Sequence, residues 1–81
     1  MSRKQLGVIY RAYKEGKLEG IDQEDINKMY EYCNKMGDYD FARKEGSFII
    51  NCLREAVDAI FNGDYHEASN KVRNFKNVEL F

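Results

Sequence analysis

One seven-residue phrase occurs twice in this chain, as Met36-Gly37-Asp38-Tyr39-Asp40-Phe41-Ala42 and again as Asn62-Gly63-Asp64-Tyr65-His66-Glu67-Ala68. Each copy reads as a sharp turn between two helices. Gly takes the left-handed position that ends one helix, and Asp offers a carboxylate to the free N–H groups of the next. Tyr, with Ala three residues on, begins the apolar stripe of that helix. The phrase fixes an architecture of short, packed helices. It brings no chemistry with it, because catalytic, metal-binding and phosphate-binding spacings are all missing from the chain.

Size and composition agree. With 81 residues the chain is long enough for a single helical domain, 1–81, in which roughly 60% of the unfolded surface can be buried. Apolar residues at 43% oppose disorder, and charged residues at 33% without Pro or Trp suit a helical bundle. Apolar runs such as Ser47-Phe48-Ile49-Ile50 are far too short to span a bilayer. Val8 and Ile9 sit among Arg, Lys and Gln, unlike the apolar segment of a secretory leader. Cys33 and Cys52 fall in separate helices with no other Cys, a weak disulfide pattern that points to a reducing, cytoplasmic setting. The net charge of −1 opposes generic polyanion binding. Charge is nevertheless uneven: residues 1–20 carry five bases and two acids, residues 21–40 six acids and two bases.

Four helical segments follow from the hydrophobic spacing. In the first, Ser2 caps while Gln5 reaches back, and Leu6, Ile9, Tyr10 and Tyr13 recur at helical intervals to an end near Glu15-Gly16. A connector, 16–21, leads to Asp22 as the second N-cap, with Glu24 and Asp25 in the positive first turn and Ile21 placed to staple onto Ile26. Its stripe is Ile26, Met29, Tyr30, Cys33 and Met36, ending at Gly37. The third segment, from about Tyr39 to Phe61, gathers Arg43, Lys44, Ser47, Asn51, Arg54, Glu55 and Asp58 into one polar arc and leaves an apolar arc of about 200°. A helix this apolar has neighbours on several sides, so it is the expected centre of the domain or a homodimer seam. Glu45 falls inside the apolar arc, immediately before Gly46-Ser47. Either it has a partner, or the helix breaks and Ser47 caps a fresh one. The fourth helix, Asp64 to about Asn77, opens with a capping box to Glu67 and carries the stripe Tyr65, Ala68, Val72 and Phe75, after which Val78, Leu80 and Phe81 are placed to fold back on the core. The expected fold is all-α, a small four-helix bundle of antiparallel helical hairpins.

The Gly-Asp-Tyr-x-x-Ala turn between amphipathic helices resembles the inner hairpin of tetratricopeptide repeats, a family of helical-hairpin scaffolds that bind peptides and protein partners. The resemblance covers the turns alone. Units of that family recur at roughly 34 residues, whereas Gly37 and Gly63 lie 26 apart. The small residue that the family places seven positions before the Gly is Ala56 in the second copy, but Tyr30 stands there in the first. What the resemblance implies is shared turn chemistry.

No residue set points to catalysis. His66 sits in the first turn of the fourth helix, with no Cys or Ser placed for it to serve as base. One His does not make a standard zinc site. Cys33 and Cys52 lie on apolar stripes, where thiols are inert. Asp22, Glu24, Asp25, Asp38 and Asp40 lack the loop spacing of an EF-hand, and capping explains their positions. No cofactor or metal is expected.

Two binding functions remain. The first is a non-enzymatic inhibitor, adaptor or regulatory subunit acting by stoichiometric association with a larger protein. Tyr32 lies off the stripe of its helix, and Phe41, Phe48 and the terminal Leu80-Phe81 exceed what three short neighbours can cover. With the acids Asp22, Glu24 and Asp25, the residues Tyr32, Phe41 and Phe48 form the expected interface, since exposed aromatics commonly anchor partners. The alternative is a helix-turn-helix-like DNA-binding regulator. In that reading Asn70, Lys71, Arg73, Asn74 and Asn77 on the fourth helix, flanked by Lys76, contact DNA, because Asn and Arg pair bidentately with adenine and guanine.

Overall fold

Helices begin in this chain where the sequence supplies an oxygen for their unpaired N–H groups. The computed structural model describes residues 3–77. The expected Ser2 cap and the return of Val78, Leu80 and Phe81 lie outside the described residues. Helix α1 spans Arg3–Lys14, α2 Gln23–Asn34, α3 Tyr39–Phe61 and α4 Tyr65–Arg73, with short 3-10 turns at Lys35–Gly37 and Asn74–Asn77. At the start of α2, Asp22 Oδ1 accepts from the N–H of Asp25 at 3.0 Å, and Asp25 Oδ2 accepts from the N–H of Asp22 at 3.1 Å, a reciprocal capping box. Asp38 caps α3 through the N–H of Phe41, and Asp64 caps α4 through that of Glu67, each at 3.1 Å. In the Asp64–Glu67 pair the Asp half of the box forms, while the Glu67 carboxylate lies 3.5 Å from Lys71 Nζ.

The two copies of the repeated phrase end their helices differently. Gly63 has φ 78°, with its N–H bonded to Ile60 O and that of Asp64 to Ala59 O, the paired pattern of a left-handed glycine stop. Gly37 has no positive φ. There α2 tightens into the 3-10 turn, closed by the Asp38 N–H on Lys35 O at 2.9 Å. The left-handed stop expected at Gly37 is found instead at Gly16, with φ 73° and bonds from Gly16 N to Tyr13 O and from Lys17 N to Ala12 O. Packing accounts for the difference. The 3-10 turn lays Met36 against α3 at Gly46, where an added Cβ would stand 3.2 Å from Met36 Cε. Gly46 is therefore a close-approach position, and α3 runs through it unbroken with Glu45 half-buried.

Helix α3 contributes Phe41, Ile49, Cys52, Leu53, Ala56, Val57 and Ala59 to the core and packs against α1, α4 and both 3-10 turns. Ile9 of α1, Ile26 and Met29 of α2, and Val72 of α4 close around it, with Phe75 from the last 3-10 turn. On α2 the expected stripe packs on the core, with Ile26 and Met29 fully buried. Tyr30, Cys33 and Met36 are only half-buried, and Tyr32 takes the core position, its ring stacked on Phe75 at 6.5 Å and 8°. A radius of gyration of 11.8 Å matches the about 12 Å of a compact chain of this length. The described residues are helix, turn and connector with no strand, and no helix among them is long and apolar enough to cross a membrane.

The contrast between the two turns is measurable by urea unfolding. Gly63→Ala forces a Cβ into the left-handed region and is expected to cost about 1 kcal/mol or more. Gly37→Ala meets open space at ordinary φ and is expected to be neutral or stabilising by about 0.5 kcal/mol. Equal losses at the two positions would contradict the different turn geometries.

Candidate interaction face

Most of the residues expected to form a protein interface are committed inside the fold. Tyr32 is 4% exposed and Phe41 1%, so both are core residues and neither is available to a partner. Tyr32 was misplaced by the local stripe because its cover, Phe75, is 43 residues away in sequence. Asp25 is buried in the capping box, and Asp22 is committed to the same box. Glu24 is exposed and pairs with Lys28 at 3.4 Å. Phe48 is 38% exposed.

Three of the candidate nucleic-acid residues, Asn70, Lys71 and Arg73, are engaged within the protein. Arg73 Nη1 donates to Glu19 O at 3.1 Å, and its Nη2 bonds Asn70 Oδ1. Gly20, at φ 70°, leaves room for this guanidinium, because a Cβ there would stand 2.6 Å from Nη1. Beside it the N–H of Glu19 donates to Ser69 Oγ at 2.9 Å, while the fully buried Ser69 hydroxyl donates to Tyr65 O at 2.8 Å. Arg73 and Ser69 thus hold the 16–20 connector onto α4, and Leu18 is buried beneath it. Lys71 bridges helices, with Nζ 2.8 Å from Glu55 and 3.5 Å from Glu67. The Glu55 hydrogen bond raises the Lys71 pKa and lowers that of Glu55, so both stay charged at neutral pH. Asn74 is half-buried, and the Asn77 side chain lies outside the described set.

What the structure leaves uncovered is a different face. Tyr39 is 76% exposed, Ile50 48% and Phe61 74%. These residues are spaced eleven apart on α3. Eleven residues are about three turns, so the three share one face over about 33 Å. Arg43 and Arg54, also eleven apart and exposed, share that face. Phe48 points from the opposite flank, about 160° around the helix from Ile50. At the Phe61 end a cleft of about 170 Å³ opens between α1, α3 and the start of α4. Val8, Ala12, Ile60 and Tyr65 give it apolar walls, and Arg11, Glu15 and Lys17 bring charge to it. Lys17 stands over the Tyr65 ring at 5.4 Å and pairs with Glu15 at 3.2 Å. The signal was present in the sequence as three large apolar residues at the margin of the α3 polar arc, at a constant spacing of eleven.

The two thiols are placed for packing. Both cysteines are free. Burial pushes the Cys33 thiol up to about 11 and raises that of Cys52 as well, which suppresses the nucleophilic thiolate at neutral pH. His66 is exposed. Among the described residues no group of three His, Cys, Asp or Glu side chains converges as a metal site. No family model matches the chain, and neither a curated protein nor a solved structure matches it. The functional reading therefore rests on this face itself.

Arg73→Ala is expected to lower stability by about 1 kcal/mol and to speed amide hydrogen exchange in the 16–20 connector, as is Ser69→Ala. Unchanged exchange in both variants would mean that the connector is held by Leu18 alone and would release Arg73 for an external contact.

Proposed function

We propose that this protein acts without catalysis, by stoichiometric association with a larger protein, and that it docks through the exposed side of α3 and the adjoining cleft. The observation that carries the reading is Phe61, a large aromatic left 74% exposed at the rim of an apolar slot. Buried aromatic anchors supply most of the energy in protein interfaces, and a pocket beside such an anchor receives one in return. An inhibitor, adaptor or regulatory subunit has this form. We read the four helices as a bundle of antiparallel hairpins, a reading supported by the tight Gly63 turn and by Lys71 reaching back to Glu55. Two free thiols favour a reducing, cytoplasmic setting. The DNA-binding alternative loses support because Asn70, Lys71 and Arg73 already have partners inside the fold.

The test is capture from a lysate of the source cells after nuclease treatment, comparing the natural chain with Phe61→Ser and Ile50→Ser. Both variants are expected to keep their helical circular dichroism and stay within about 0.5 kcal/mol in stability, since the side chains are solvent-exposed. Each is expected to reduce capture of a stoichiometric protein about tenfold or more. Undiminished capture by both variants would remove this face from the account, and loss of the captured material on nuclease treatment would favour nucleic acid.

A further inference from the structure

We propose that the occupant of this face is an acidic amphipathic helix, which sets one large apolar side chain into the cleft beside Phe61 and brings carboxylates to the cations around it. The proposal rests on the docking reading above and adds the chemistry of the partner. The cleft's volume of about 170 Å³ is below the 300 Å³ or so at which small-molecule pockets begin. It suits one anchor side chain. The stripe of Tyr39, Ile50 and Phe61 follows a helix axis, so a second helix lying along it meets an apolar contact every three turns.

Charge selects the sign of that helix. Arg43 and Arg54 fill the intervals between the three apolar residues, and Arg11 stands at the cleft. Arg54 bonds weakly to Asn51 Oδ1, at 3.4 Å, and its charge also reaches the Glu55 carboxylate, which is bonded to Lys71. The acid in the cleft wall, Glu15, is paired with Lys17. Asp40 and Asp58 lie about 40–100° further around α3, off the stripe. A second copy laid antiparallel about Ile50 would set Val57 opposite Arg43 and Gly46 opposite Arg54, and a parallel one would set arginine against arginine, so neither places a carboxylate opposite these cations. Carboxylates on a partner helix answer the same arginines. Because these pairs form at the exposed rim of the contact, they set specificity and salt dependence while the apolar anchors set affinity.

The experiment is selection from a displayed library of helical peptides of about 20 residues, long enough to follow the stripe, against the natural chain. Selected peptides are expected to carry Asp and Glu in excess over Lys and Arg around one large apolar anchor. Their binding is expected to fall about tenfold with Arg43→Glu/Arg54→Glu and with Phe61→Ser, and to be unchanged by Phe48→Ser on the opposite flank. Selection of neutral or basic peptides, indifference to the arginine reversal, or failure to select any peptide would overturn the proposal. A dimer in sedimentation equilibrium that Ile50→Ser dissolves would also overturn it, making a second copy the occupant. The captured cellular partner separates the two levels of the argument. If it is lost with Phe61→Ser but survives the arginine reversal, the face stands and the acidic helix falls; if it survives both, the face itself is wrong.

Discussion

A helix with an apolar arc of about 200° cannot be covered by one neighbour, and this requirement on α3 organises the rest of the chain. A helix on a surface needs to hide only about half of that arc. Here α1, α4 and both 3-10 turns are recruited around it, and the smallest buried position on α3, Gly46, lets Met36 approach where a side chain would hold it off. That contact explains two departures from simple turn chemistry together. The second helix ends in a 3-10 turn at Gly37 because Met36 must reach inward, and α3 tolerates an interior glycine because the space it leaves is filled. The propensity cost of about 1 kcal/mol for glycine within a helix is offset by packing that a larger residue would lose.

The surrounding helices are short, and coverage by short helices leaves edges. Tyr39 and Phe61 are the first and last residues of α3, and Ile50 is the residue midway between them. The exposure of the two end residues follows from the length of α3, at 23 residues against 12 for α1 and 9 for α4. Neighbours of that length cannot shield both ends of one side. Random exposure of apolar residues is common on soluble proteins and needs no explanation. Three large ones at a constant helical interval, ending at a cleft, form a pattern of the kind that marks interaction surfaces.

Local rules proved legible wherever the deciding partner lies nearby in sequence. Asp22, Asp38 and Asp64 cap helices as their positions imply, since a cap is decided within three residues. The helical stripes of α1 and α4 read correctly for the same reason: Leu6 and Ile9, and Ala68 and Val72, are buried. Where the deciding partner is distant, the sequence was silent. Tyr32 is in the core because Phe75 stacks on it, and Leu18, an apolar residue between Gly16 and Gly20, is buried because Ser69 and Arg73 draw its connector down. The face on α3 falls between these cases. Its spacing was readable, but its exposure depends on which sides of α3 the neighbours leave open.

Arginine shows most directly how the fold, rather than residue type, assigns a role. Arg73 and Arg54 are both surface cations on amphipathic helices, and in sequence each is equally suited to an external anion. Arg73 donates to a backbone carbonyl across a chain separation of 54 residues, in a space kept open by a left-handed glycine. Its charge is directed into the protein, to fix a connector. Arg54 makes a long contact to Asn51, has the Glu55 carboxylate near enough to feel its charge, and stands between two exposed apolar side chains. A cation in water gains little from an isolated carboxylate, because exposed pairs are worth about 1 kcal/mol or less. Beside a surface that becomes desolvated on docking, the same cation acquires a stronger preference for an acidic partner and a penalty for a basic one. The apolar stripe therefore gives the α3 arginines their discriminating power, whereas the basic residues of α4 spend theirs on holding the fold together.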